Sequence, residues 1–177
     1  MERWVVAAKR ADFAAIGKEF GIDPVIARLI RNRDVQDREE IRRYLHGTVE
    51  ELASPHLMKD VDKAVEILRN KIKEKKRIRI IGDYDIDGVV STFILIKGLK
   101  RVGALADTYI PDRVADGYGI HEHLIERAVN DGIDVIVTCD NGIAAYNEIA
   151  MAKEKGMTVI ITDHHEIPYK ETEDGRE

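Results

Sequence analysis

From Arg77 onward the sequence alternates short β-rich runs with longer helical stretches, and this alternation limits the fold more than any other feature. The runs are Ile78–Ile81, Ala106–Ile110, Val135–Thr138 and Val159–Thr162. Gly103, Gly132 and Gly156 fall where a helix would stop before the next strand. Strands of this buried type, separated by helices, predict an α/β domain over residues 77–168: a parallel sheet flanked by helices on both faces. Residues 1–76 read instead as a helical N-terminal segment that packs on this core. Asp23-Pro24 is an N-cap followed by proline at the first helical position, leading into Val25, Ile26, Leu29 and Ile30. Asp37 with Glu40 three residues on forms a capping box before Ile41 and Leu45. Asp60 opens a longer helix with Val61, Ala64, Val65, Leu68 and Ile72 on one stripe. The short helices near residues 24–45 are read as an appendage rather than a helix-turn-helix DNA reader. Residues 169–177 read as a polar tail.

A chain of 177 residues supports one domain, or one with a small appendage. No apolar run reaches the roughly 18 residues of a membrane span, and no signal peptide opens the chain. The single Cys139 excludes an intramolecular disulfide, and the expected compartment is the reducing cytoplasm. The net charge of −5 conceals a split: 19 Lys and Arg against 14 Asp and Glu over residues 1–80, and 9 against 19 beyond. A basic part beside an acidic one suits a polyanion passing over a metal site, although Lys71–Arg79 alone also reads as a solvated helix end.

The first strand runs straight into Gly82-Asp83-Tyr84-Asp85-Ile86-Asp87-Gly88. Three neighbouring carboxylates repel one another unless a cation relieves them, and hard ions such as Mg²⁺ or Mn²⁺ favour carboxylate oxygen. An EF-hand loop would need a glutamate at position 94, which is Ile, so a calcium loop is excluded. The other strands end on equally loaded turns: Pro111-Asp112-Arg113 and Asp116-Gly117-Tyr118-Gly119, then Asp140-Asn141-Gly142, then Asp163-His164-His165. Parallel strands bring all of these to one sheet edge, where ligands of α/β domains bind. Carboxylates with imidazole and no second thiol point to a Mn²⁺ or Mg²⁺ site of two ions, the usual arrangement for phosphoester hydrolysis.

Asp163-His164-His165, the upstream Asp85-Ile86-Asp87 and the intervening Val137–Gly142 resemble the DHH phosphoesterases. A longer match is similar to the RecJ branch of that family, single-strand-specific 5′→3′ DNA exonucleases. It includes Phe20–Pro24, Ala27–Ile30, Leu57–Asp60, Gly82–Gly88 and Ile110–Gly119. The resemblance implies Asp85, Asp87, Asp140 and His164 as metal ligands, with Asp140 bridging. It implies Asp83, Asp163 and His165 as further catalytic groups: Asp163 orients the His164 ring, and His165 meets the scissile phosphate. Arg113, Tyr118 and Asn141 are the expected substrate contacts. Relatives outside the RecJ branch carry a histidine where this chain has Ile81. A further metal-binding aspartate and a second domain expected downstream of His165 are absent from this sequence, so one metal ligand is missing. The implied function is degradation of single-stranded DNA in recombination and repair, with a single-strand-binding protein or helicase as partner through the C-terminal part. This chain would then be an N-terminal portion, inactive alone. The alternatives are a small-substrate phosphodiesterase or pyrophosphatase of the same family, and a non-catalytic metal- or DNA-binding fragment.

Three further features invite a functional reading and receive a plainer one. His121 and His123, two residues apart at a helix start, are expected to face different directions on a polar surface. Cys139 is read as a small core residue and not a nucleophile. His46 and His56 read as surface residues.

Overall fold

The computed structural model describes residues 9–168, together with the backbone of two short strands beyond them, Glu171–Thr172 and Gly175–Arg176, which pair antiparallel. The rest of the expected 169–177 tail lies outside the described residues. The chain divides into two compact units between Met58 and Lys59.

Among its described residues the first unit holds three helices, α1 (Phe13–Phe20), α2 (Pro24–Asn32) and α3 (Arg38–His46), followed by two 3₁₀ turns. The caps fall where the sequence predicts them. Asp23 accepts from the Val25 N–H with Pro24 at the first helical position, and Asp37 and Glu40 close a reciprocal capping box. Gly17 of α1 is buried, and a Cβ there would lie 2.7 Å from the Ile22 carbonyl oxygen, so a side chain is excluded. Among the described residues of this unit, Ala27, Ile30 and Ile41 are the buried apolar side chains.

The second unit begins with α4 (Val61–Lys73) and continues β1 (Arg77–Ile81), α5 (Ile86–Arg101), β2 (Leu105–Tyr109), α6 (Glu122–Asn130), β3 (Val135–Cys139), α7 (Tyr146–Glu154) and β4 (Thr158–Thr162). The four long strands form one parallel sheet in the order β2-β1-β3-β4. Alternation along β1 splits the core in two. Ile78 and Ile80 pack with Val135, Val137, Cys139, Leu99 and the apolar stripe of α4, including Leu68 and Ile72. Ile81 faces the other way, towards Leu124, Ile125 and Ala128 of α6 and Ala152 of α7. Helices therefore cover both faces. The helix α4, grouped by sequence with the N-terminal segment, belongs to this unit because its stripe is one wall of the sheet's core. Among the described residues no helix is long and apolar enough to cross a membrane.

Arg79 sits in the middle of β1 and is 9% exposed. Its guanidinium grips Asp107 of β2 through two bonds of 2.8 Å and Asp131, the residue closing α6, at 2.6 Å. Asp107 is its register partner across the strands. A buried cation is tolerated only when so paired. This corrects the reading of Lys71–Arg79 as one solvated helix end: the run spans a helix end and a strand, and Arg79 is engaged internally.

Candidate metal centre

β1 stops at Ile81, and the chain turns through Gly82–Asp85 into α5. Two glycines make this turn possible. A Cβ on Gly82 would lie 2.0 Å from the Thr92 hydroxyl oxygen, and one on Gly88 2.4–2.6 Å from backbone atoms of Asp83. The first turn of α5 thus rests directly on the Asp83 main chain. Asp85 caps that helix, its Oδ1 accepting from the Gly88 N–H at 2.9 Å. That bond to a backbone N–H holds the Asp85 carboxyl below the usual carboxylate range. Asp83 is 1% exposed, and its Oδ1 has no hydrogen-bond partner.

Next to β1, β3 delivers Asp140 in a left-handed conformation, φ 62°, with its N–H bonded to the Thr162 carbonyl at 3.0 Å. Burial pushes the Asp140 carboxyl up, the nearby Asp85 adds to the rise, and the bond to His164 opposes it. Asn141 follows, fully buried. Its amide nitrogen donates to the carbonyls of Ile81 and Cys139, tying the ends of β1 and β3 together. That position is a correction to its expected role, because the side chain faces the sheet and is closed to a substrate.

β4 leads into Asp163, whose side chain is 2% exposed. Its Oδ2 accepts from the Ile143 N–H at 2.9 Å. Its Oδ1 accepts from the N–H groups of His164 and His165 at 2.8 and 3.1 Å and contacts His165 Nδ1 at 2.7 Å. Burial alone would raise this carboxyl, but the donated bonds outweigh it and the net shift is downward. His165 in turn is raised by its bond to Asp163. The expectation that Asp163 orients His164 is therefore corrected. The carboxylate folds back on its own turn, where the ring within reach is that of His165. The His164 ring turns to Asp140 instead, Nε2 to Oδ1 at 2.8 Å.

Among the described residues, ligand-type atoms lie within 4.8 Å of one another in two groups, Asp83-Asp85-Asp140 and Asp140-His164-His165, which share Asp140. Asp87, expected among the ligands, belongs to neither group. It is exposed at the start of α5 and lines a cavity of about 440 Å³ with Val90, Ile94, Asp140, Asp163 and His164. The acids fit a hard cation: three carboxylates converge, and one buried oxygen has no donor from the protein, a costly state unless something else satisfies it. Asp83 thereby joins the group that could hold an ion.

The loop from β2 to α6 forms a rim of rings and cations. Arg113 lies over Tyr84, 5.5 Å from its centroid, and Tyr84 meets Tyr118 edge-on at 6.5 Å. Asp116 anchors this loop by accepting from the Asp112 N–H at 2.7 Å and the Tyr109 hydroxyl at 3.1 Å and pairing with His123 at 2.7 Å. His121 and His123, expected to diverge, stack with their rings 9° apart. Cys139 is a buried core residue 3.2 Å from the Thr92 hydroxyl, as expected. Sequence reasoning overlooked Tyr84 and Thr92. The glycine pair bracketing the acids was the available signal, since such spacing marks close backbone contact.

Over residues 77–176 the chain matches the family model described as DHH family, N-terminal domain. It is 37% identical over 165 residues to the single-stranded-DNA-specific exonuclease RecJ of Bacillus subtilis strain 168, covering 93% of this chain and 21% of that protein. A crystal structure of exonuclease RecJ bound to manganese superposes with a TM-score of 0.61 at 36% identity, over 66% of this chain and 30% of that one. RecJ of Thermus thermophilus in complex with Mn²⁺ gives 0.60 at 26% identity, over 88% and 21%. The chain spans between 16% and 26% of the length of the curated relatives it matches. The matched span contains every acid and histidine that converges at the strand ends, and the chain belongs to the DHH family.

Proposed function

We propose that this chain carries the metal-binding half of a phosphodiesterase centre of RecJ type, acting 5′→3′ on single-stranded DNA in recombination and repair. The observation that carries the reading is the sharing of Asp140 between two ligand groups, one of carboxylates and one with imidazoles, at adjacent strand ends. The activity for which the similar proteins are named, single-stranded-DNA-specific exonuclease, supplies the substrate class. Mn²⁺ or Mg²⁺ held as a pair there would activate water and neutralise charge on the phosphoryl oxygens.

The protein's own groups do the rest. Asp83, Asp85, Asp140 and His164 would hold the ions, with Asp87 at the cavity rim. Asp163 bonds His165 Nδ1 and fixes that ring, so that the imidazole is set beside the scissile phosphate. Arg113, held flat over Tyr84, offers a guanidinium to a phosphate of the strand. A flexible single strand admits its phosphates one at a time to such an acidic edge. A duplex would press a second row of phosphates against the same carboxylates. A reducing cytoplasm is the proposed compartment, and a single-strand-binding protein or helicase the proposed partner.

Calorimetry with Mn²⁺ on wild type and Asp140→Ala tests the centre. The substitution should weaken binding by more than about tenfold, since a ligand shared by both groups is lost. Equal binding would remove Asp140 from the site. Degradation of a 5′-labelled single-stranded oligonucleotide in preference to its duplex tests the substrate.

A further inference from the structure

We propose that the Tyr118 hydroxyl is the second clamp on His165, making Tyr118 a positioning residue for the reaction inferred above, on which this assignment rests. The sequence places Tyr118 only among the expected substrate contacts, and a contact made by stacking its ring on a base would leave its hydroxyl idle. The structure uses the hydroxyl. It lies 3.2 Å from His165 Nε2 and 3.4 Å from Nδ1, and 3.5 Å from the carbonyl oxygen of Asp140. Nδ1 is already committed to Asp163 at 2.7 Å, so Nε2 is the partner left for Tyr118.

These contacts form a continuous chain. His165 Nδ1 is bonded to Asp163, Nε2 to the Tyr118 hydroxyl, and that hydroxyl reaches the Asp140 carbonyl. The imidazole is held from both nitrogens, and its far support is the main chain of the residue shared by the two ligand groups. A movement of Asp140 would pass to His165 through one hydroxyl.

The tyrosine is itself supported. Tyr84 meets its ring edge-on at 80°, and His165 meets it at 74° with centroids 5.9 Å apart. Gly117 and Gly119 on either side adopt φ of 77° and 91°, which lets the backbone turn the ring towards the site. Asp116 pins the same loop to Tyr109, Asp112 and His123. Half of the tyrosine surface stays exposed, yet its hydroxyl points inward to two partners.

Tyr118→Phe separates the two roles, because it keeps the ring and removes the hydroxyl. In the metal-free chain, ¹⁵N spectra should show the His165 Nε2 resonance moving towards that of a free imidazole while Nδ1 stays, held by Asp163. An unmoved Nε2, or both nitrogens moving together, overturns the assignment. With Mn²⁺ and a 5′-labelled oligonucleotide, Tyr118→Phe should lower kcat about three- to tenfold, the worth of one hydrogen bond, with KM unchanged. An unchanged kcat leaves base stacking as the role of Tyr118 and likewise overturns it. A wild-type chain that binds no Mn²⁺ sinks the nuclease reading, and the nitrogen spectra then decide the clamp alone, as they do where this N-terminal portion leaves the oligonucleotide intact.

Discussion

Two glycines of α5 should respond oppositely to the same substitution, and the contrast isolates what shapes the acidic turn. Both occupy helical positions, where alanine is favoured over glycine by roughly 1 kcal/mol. At Gly98 nothing lies within 4 Å of the added Cβ, so Gly98→Ala should raise stability by about that amount. At Gly88 the Cβ would meet the nitrogen, carbonyl carbon and oxygen of Asp83 at 2.4–2.6 Å, against the roughly 3.5–4 Å of ordinary contact. The neighbour is main chain and cannot rotate away, so α5 and the Asp83 turn must separate by about 1 Å. Overpacking of this kind costs about 1–3 kcal/mol. The same movement strains the Asp85 cap, worth about 1 kcal/mol more. The steric terms win, and Gly88→Ala should be destabilised by about 1–3 kcal/mol. At about 2–4 °C per kcal/mol for a chain of this size, its melting temperature should fall by several degrees while that of Gly98→Ala rises. Urea unfolding of the metal-free proteins, followed by circular dichroism, measures both. Gly88→Ala should also lose Mn²⁺ affinity, since its clash displaces Asp83. A Gly88→Ala protein as stable as wild type, beside a normally stabilised Gly98→Ala, would refute the close-contact reasoning.

Other perturbations have equally definite expectations. Arg79→Met should destabilise by on the order of 2 kcal/mol at neutral pH, because three charge-assisted bonds are exchanged for apolar burial. Asp131 is held below its usual 3.8 by Arg79, so its contribution is complete above that value and fades as pH falls through the lowered one. Denaturant melts should therefore show the gap between wild type and Arg79→Met narrowing below about pH 4, and a gap independent of pH would count against the pairing. Asp163→Asn keeps an oxygen for the turn but sets an amide donor against a second donor, the Ile143 N–H or the His165 ring. A loss of about 1–3 kcal/mol is expected in a thermal melt, and no loss would mean that the turn is held by other contacts.

The strands were legible because apolar β-rich runs and their closing glycines are local signals. Each strand boundary lies within a residue of its sequence expectation, and the small offset at β2 arises because Ile110 has already left the ladder. Convergence of the acids followed from parallel topology alone. What could not be read was direction. Nothing in Asp163-His164-His165 says which ring the carboxylate reaches. That depends on Oδ1 accepting the next two N–H groups, which curls the turn so that only the second ring is near. Asn141 and Arg79 were misjudged for a related reason: polar residues read as surface, yet both are buried with partners distant in sequence. The grouping of Asp83 with Asp85 and Asp140, ahead of Asp87, likewise depends on how tightly Gly88 lets the helix sit.

The left-handed backbone of Asp140 has a consequence for how this protein would respond to selection. A non-glycine residue in that region carries about 1–3 kcal/mol of strain, and this one also buries a carboxyl beside another carboxylate. Glycine would relieve both burdens. Directed evolution for heat resistance alone should therefore drift towards Asp140→Gly, and each variant gained that way should be sturdier and poorer in metal. Two demands compete at the position: the left-handed backbone favours glycine, and the aspartate persists only while the chemistry of the strand ends is being screened as well.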